Sequence, residues 1–166
     1  MEAAARGARI FAMTGTLVRA AKASDAEALV AMRCLLWPES PDEEHKREIE
    51  AELNGEATST LPKETLVSVD EDGELTGFLE VGLRSHADGC DSRQPVGYVE
   101  GWFVVEARRG RGLGAKLMRA AEDWARARGC REMASDALID NGGSQQAHAA
   151  LGFEVVDRCV TFRKAL

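Results

Sequence analysis

Short apolar runs separated by polar and glycine-rich stretches set the order of elements along the chain. The run Thr-Leu-Val-Arg-Ala-Ala from Thr16 predicts a first strand. Ser24, with Glu27 three residues later, has the pattern of a capping box and opens a helix whose apolar face is Leu29, Met32 and Leu36. After Trp37-Pro38 a second helix is expected, with Ser40 as its cap, Pro41 in the first helical position and Glu43 completing another capping box. His45, Ile49 and Leu53 share one face of it, which makes His45 a satisfied helix residue rather than a ligand.

The polar stretch Asn54 to Lys63 reads as a loop. Leu66 to Val69 and Leu75 to Leu83, joined by the turn at Asp72-Gly73, form an antiparallel hairpin. A Gly/Asp/Ser-rich connection from His86 to Pro95 leads into a strand over Val96 to Val105. A glycine loop then enters a helix with Leu113, Leu117, Ala121 and Trp124 on one stripe, closed by Gly129. The remaining elements are a strand from Glu132 to Ala137, a loop at Asp140 to Gly143, a helix from Ser144 to Leu151 ended by Gly152, and a final strand from Phe153 to Arg163. The order strand, two helices, three strands, helix, strand, helix, strand packs most simply as a mixed α/β sheet with helices on both faces. Residues 1–14 are expected to be a flexible extension and residues 15–166 one domain.

Composition narrows the function classes. The formal net charge of -7 disfavours a nucleic-acid or anionic-membrane partner and is compatible with a cationic one, although acidity for solubility alone is the commoner cause. The four cysteines, Cys34, Cys90, Cys130 and Cys159, lack the paired spacings of zinc or redox motifs and are expected to be reduced and mostly buried. No metal is expected, because the three histidines have no ligand-like spacing. The amino-terminal residues lack the long apolar core of a secretory signal, so a cytoplasmic protein is expected.

Between strand and helix lies Arg109-Gly110-Arg111-Gly112-Leu113-Gly114, followed by Ala115. Glycines at a helix start present unpaired backbone N–H groups at the positive end of the helix and allow close approach of a ligand. Arg108, Arg109 and Arg111 add cationic charge suited to a pyrophosphate. The Lys-Ser/Thr of a nucleoside-triphosphate loop and the dinucleotide glycine spacing are both missing. Turn glycines with surface arginines are the competing reading; the strand before and amphipathic helix after favour the phosphate cradle.

Arg109-x-x-Gly112-x-Gly114 and the Leu151-Gly152-Phe153 turn resemble the signatures of the GCN5-related N-acetyltransferase (GNAT) superfamily, over nearly the whole chain. Within it, Arg33-x-x-x-Trp37-Pro38, Asp88 to Ser92, Glu100-Gly101, the string Cys130-Arg131-Glu132-Met133-Ala134-Ser135-Asp136 and Phe162-Arg163-Lys164 resemble the aminoglycoside 6'-N-acetyltransferases. That resemblance implies a GNAT fold with a mostly antiparallel mixed sheet, acetyl-CoA as acetyl donor, a polycationic aminoglycoside as acceptor, and a homodimer.

The resemblance also implies roles. Trp102, Phe103 and Val104 lie along the cofactor, with a backbone N–H near Val104 as oxyanion donor; Gly110 to Ala115 hold the pyrophosphate, and Asn141 contacts the pantetheine. Trp37, His86, Asp91, Glu100, Asp136 and Asp157 contact the aminoglycoside, His86 standing where some relatives have tyrosine. Core packing is an equal reading of Trp37, and a solvated surface charge is the plainer reading of Asp91 and Asp157. Attack needs a neutral amine, so a proton acceptor is required. Asp136 is the expected acceptor and Glu100 the expected ammonium anchor. His148 replaces the superfamily's frequent tyrosine acid and reads equally as a thiolate acid or as a packed helix residue. An acetyltransferase for another amine, and a non-catalytic acyl-CoA sensor, stay open as alternatives.

Overall fold

In the computed structural model, which describes residues 15–56 and 59–165, five strands form one sheet in the order β1-β2-β3-β4-β5. They are β1 (Leu17–Ala20), β2 (Lys63–Val69), β3 (Leu75–Arg84), β4 (Val96–Val104) and β5 (Met133–Ser135). The first four pair antiparallel, and β5 pairs parallel with β4. Four helices accompany them: α1 (Ala26–Leu36), α2 (Asp42–Leu53), α3 (Leu113–Arg126) and α4 (Gly142–Ala150). The expected extension over residues 1–14 lies outside the described residues.

Alternation along the strands sends side chains to both faces, and each face has its own core. Leu79, Val81 and Val99 pack against Leu117, Met118, Ala121 and Trp124 of α3. On the other face Val67, Val69 and Phe78 meet Leu29 and Met32 of α1 and Ile49 of α2. The stripe expected on α3 and the faces expected on α1 and α2 therefore both bury.

Several local expectations need correction. Ser24 does not cap α1: a 3-10 turn, Ala23–Asp25, precedes it, and Asp25 accepts a hydrogen bond from the Lys22 N–H at 2.9 Å and two from Arg19 at 2.6 and 2.9 Å. Asp25 thus occupies the cap position of α1 while its carboxylate, turned back to Arg19 and Lys22, ties the chain entering the helix to β1. Ser40 and Glu43 form no capping box; α2 begins one residue later, with Pro41 at the cap position. α4 starts at Gly142 because Asn141 caps it, its side-chain oxygen accepting from the Ser144 N–H at 3.0 Å.

The largest departure is the carboxy terminus. Residues 153–165 form no strand, and Val155, Val156, Val160 and Phe162 are exposed, Phe162 at 93%. Apolar alternation is sufficient to propose a strand but supplies no neighbour for it to pair with. The cysteines are all free thiols, yet only Cys130 is fully buried; Cys34 and Cys90 are half-buried and Cys159 is exposed.

Candidate active site

β4 carries the centre of the site. Its pairing with β3 shifts at Glu80/Val81, where Glu80 faces Gly101 and Val81 faces Val99, so Glu100 is the extra residue of a bulge. Pairing between β4 and β5 ends at Val99 and Ser135, while β4 continues to Val104. The two parallel strands therefore open into a gap. The Val105 N–H donates to the Thr76 carbonyl at 3.0 Å. Antiparallel alternation then commits the backbone of Phe103 to β3 and turns the N–H and C=O of Trp102 and Val104 towards the gap. Phe103 thus differs from its expected role, whereas Trp102 and Val104 present polar backbone where an extended amide-bearing ligand would lie.

The glycine loop sits at the end of this gap. Gly110 and Gly112 have φ of 73° and 75°, with open space where a side chain would be. In that left-handed region a Cβ would be strained, so glycine is required by the turn itself. Gly114 has a different reason: a Cβ there would come within 2.8 Å of the Trp102 ring, so it packs the first turn of α3 on β4. Arg109 folds back, its Nε donating to the Val104 carbonyl at 2.9 Å. This leaves the Val104 N–H as the polar group at that point. Leu113 is buried in the core, and Arg111 is exposed.

At the other end, Glu100 and Asp136 belong to one cluster. Arg84 donates from Nε and from a terminal nitrogen to the two Glu100 oxygens at 3.0 and 2.6 Å. Its guanidinium carbon lies 3.3 Å from the centroid of the Tyr98 ring, and the Tyr98 hydroxyl donates to Asp136 Oδ1 at 2.7 Å. Burial, followed by the hydrogen bond to Asp136, pushes the Tyr98 phenol up to about 12. Neither Arg84 nor Tyr98 was recognisable as a site residue from sequence. The available signal was Tyr98 as the single tyrosine, two residues before Glu100.

The string from Cys130 to Asp136 resolves into separate tasks. Cys130 fills the core beside α3, and a Glu132 oxygen accepts from the Asp91 N–H at 2.8 Å. The Ser135 hydroxyl meets His148 Nε2 at 2.9 Å, and Asp136 meets Tyr98. His148 Nδ1 faces the Ser144 carbonyl at 2.8 Å, which can only accept; Nδ1 therefore carries the proton and Nε2 accepts from Ser135. The ring stands edge-on to Trp102 and Phe153, with centroids 5.3 and 5.2 Å away. His148 is both packed and hydrogen-bonded beside the gap.

Trp37 lies against Gly101, where a Cβ would come within 2.8 Å of its Cζ2. It also packs near Phe78 and under the Arg33 guanidinium, so much of it belongs to the core. His45 is 2% exposed and its Nε2 donates to the Trp37 carbonyl at 3.1 Å, in keeping with a structural helix residue. A cleft of about 260 Å³ has a lining that includes Glu52, Lys63, Thr65, Glu80, Gly82 and Glu100. Burial pushes the Glu80 carboxyl up to about 7, against the opposing effect of Arg33, whose Nε is 3.4 Å away.

The other expected contacts do not join the cluster. Asp91 is held by Arg93 at 2.8 and 2.9 Å, which keeps its carboxyl below the usual range. Asp157 is exposed and accepts from the Arg158 N–H at 2.6 Å on the unpaired terminal segment. His86 is exposed, 3.7 Å from Asp88. Asn141 directs its side-chain oxygen to capping α4.

The acetyltransferase (GNAT) family profile matches residues 29–153. An aminoglycoside N(6')-acetyltransferase type 1 of Klebsiella aerogenes is 43% identical over 150 residues, covering 90% of this chain and 97% of the relative. The enzyme of the same name from Serratia marcescens is 38% identical over 141 residues, covering 84% and 92%. Aminoglycoside N-acetyltransferase AAC(6')-Iy in complex with CoA superposes with a TM-score of 0.83 at 32% identity, covering 95% of this chain and 99% of that one. The same enzyme with the bisubstrate analogue CoA-S-monomethyl-acetylneamine gives 0.81 at 33% identity, covering 92% and 100%. With its glycine loop at the end of a gap between two parallel strands and these relatives along nearly its full length, this chain belongs to the GNAT acetyltransferase family, in the group of the aminoglycoside N(6')-acetyltransferases.

Proposed function

We propose that this protein transfers the acetyl group of acetyl-CoA to the 6'-amino group of aminoglycosides by direct attack in a ternary complex. One observation carries the reading: Glu100 and Asp136, tied through Arg84 and Tyr98, each follow the last paired residues of β4 and β5, where the gap opens. The relatives named for this reaction support the choice of acceptor.

Acetyl-CoA supplies an activated thioester carbonyl. The backbone amides at Gly110 to Ala115 hold its pyrophosphate, and the Trp102 and Val104 amides orient the pantetheine, with the Val104 N–H placed to donate to the carbonyl oxygen. The cationic acceptor is drawn in by the net charge of -7 and by the Glu52, Glu64 and Glu100 carboxylates lining the cleft. Glu100 anchors an ammonium. Asp136 takes the proton from the attacking nitrogen, the new C–N bond forms as the C–S bond breaks, and the departing CoA thiolate takes up a proton from solvent, while His148, protonated at Nδ1, accepts from the Ser135 hydroxyl and fixes it beside the gap. Asp136→Asn is expected to lower kcat with tobramycin by roughly 10²-fold or more, as for loss of a general base. An Asp136→Asn enzyme with undiminished turnover contradicts the assignment.

Use of acetyl-CoA, a metabolite of the cytoplasm, supports a cytoplasmic location. A homodimer is supported by the exposed Val155, Val156, Val160 and Phe162 of the terminal segment and by β5 standing at an edge of the sheet among the described residues. Sedimentation velocity tests it: a dimer that becomes monomeric when residues 154–166 are removed is expected, and a monomeric full chain overturns it.

A further inference from the structure

Asp136 stands one residue beyond the end of β5, and its only side-chain hydrogen bond among the described residues comes from Tyr98. A short carboxylate at a strand end can visit several rotamers, and fixing one costs side-chain entropy unless a directional contact holds it. Tyr98 is well suited to supply that contact. It is nearly buried, grouped with Val96 and Ala87, with Ala134 packed against them. The β4–β5 register, Tyr98 opposite Ala134 and Val99 opposite Ser135, brings its hydroxyl to the end of β5. Arg84 covers the ring, and Arg84 is itself fixed by both oxygens of Glu100. The phenol therefore cannot swing away without breaking the Arg84 contact and the packing.

Accordingly, we propose that Tyr98 is a positioning residue for acetyl transfer, holding Asp136 by one oxygen so that the other faces the acceptor nitrogen. This inference rests on the reading of Asp136 as proton acceptor. The phenol remains a donor throughout the working range, because burial and Asp136 keep it protonated up to about pH 12. Arg84 completes the arrangement from β3, linking the anchor Glu100 to the ring that orients the acceptor. Preorganisation of this kind contributes to rate without the residue touching substrate.

The test is a double-mutant cycle on kcat with tobramycin. Tyr98→Phe keeps the ring beneath Arg84 and removes only the donor, so the melting temperature and the KM for acetyl-CoA are expected to hold. Its kcat falls on the order of tenfold, the range for losing a hydrogen bond to a charged group. In an Asp136→Asn background the same substitution has no further effect, because it acts through the lost carboxylate. Undiminished kcat in Tyr98→Phe, or an equal loss in both backgrounds, overturns the proposal.

An independent readout separates this from failure of the proposed reaction. Tyr98 is the only tyrosine, so the ultraviolet Raman doublet of the protein reports its hydroxyl alone. Asp136→Asn shifts the doublet if the phenol donates to that carboxylate. An unchanged doublet overturns the proposal, whereas wild-type protein that leaves tobramycin unmodified while the doublet shifts upholds the pairing, overturns its catalytic use and counts against the proposed reaction.

Discussion

Replacing Glu80 by glutamine should stabilise the protein at alkaline pH and do little at acidic pH. The side chain is 17% exposed, lies on β3 in the lining of the cleft, and has Arg33 as its only ion-pair partner among the described residues, at 3.4 Å. Burial raises its carboxyl from 4.5 to about 7, the opposing attraction of Arg33 being too small to offset it. A raised carboxyl binds a proton in the folded state that the unfolded chain has already released. Its contribution to stability is therefore full below about pH 4.5 and is lost as pH rises towards about 7. At about 1.4 kcal/mol per pH unit that loss totals about 3 kcal/mol, an upper bound because the site borders a solvent-filled cleft. Glutamine mimics the neutral form and carries no such loss. Urea unfolding of both proteins at pH 5 and pH 8 gives a double difference that isolates this residue. The stability gap, variant minus wild type, should grow by up to about 2.5 kcal/mol between the two conditions, since part of the loss is already present at pH 5. A gap equal at both pH values would refute the reasoning.

Other substitutions probe the frame around the site. Gly101→Ala places a methyl against the Trp37 ring, which is wedged between Arg33 and Phe78. A destabilisation of roughly 1–3 kcal/mol is expected in thermal unfolding, with a higher KM for the aminoglycoside as the ring moves. Gly112→Ala strains a backbone with φ of 75°; a loss of about 1 kcal/mol or more and weaker CoA binding by calorimetry are expected, with acceptor binding retained. Arg93→Ala frees Asp91, which the structure ties to its own loop, so aminoglycoside KM should be unchanged in steady-state assays.

Much of the fold was legible because period and burial agree. The stripe Leu113, Leu117, Ala121 and Trp124 faces the sheet as its spacing requires, and the hairpin at Asp72-Gly73 forms between β2 and β3. The ends of elements were less legible, since Asp25 and Asn141 won the capping positions through specific partners that spacing does not disclose. The terminal segment shows the same limit more strongly. Its alternating Val and Phe residues have strand character, but a strand exists only beside an edge, and among the described residues no edge receives it.

For the site, the glycine loop and the two carboxylates could be proposed from sequence because their chemistry is local. Arg84, Tyr98 and Glu80 could not be, since each matters through a neighbour 13 or more residues away in sequence, brought close only by the sheet register. Gly114, expected for close approach to a phosphate, also has a packing reason that spacing does not disclose, since a Cβ there would meet the Trp102 ring.

The central claim is acetylation of one particular amine. Its most direct test is the regiochemistry of the product formed from acetyl-CoA and tobramycin, read by two-dimensional NMR of the purified product. Acetyl carbon coupled to the 6'-nitrogen position, with stoichiometric release of CoA thiol, is the predicted result. An acetyl group on another amine, or thiol release only with a peptide or polyamine, would contradict the account.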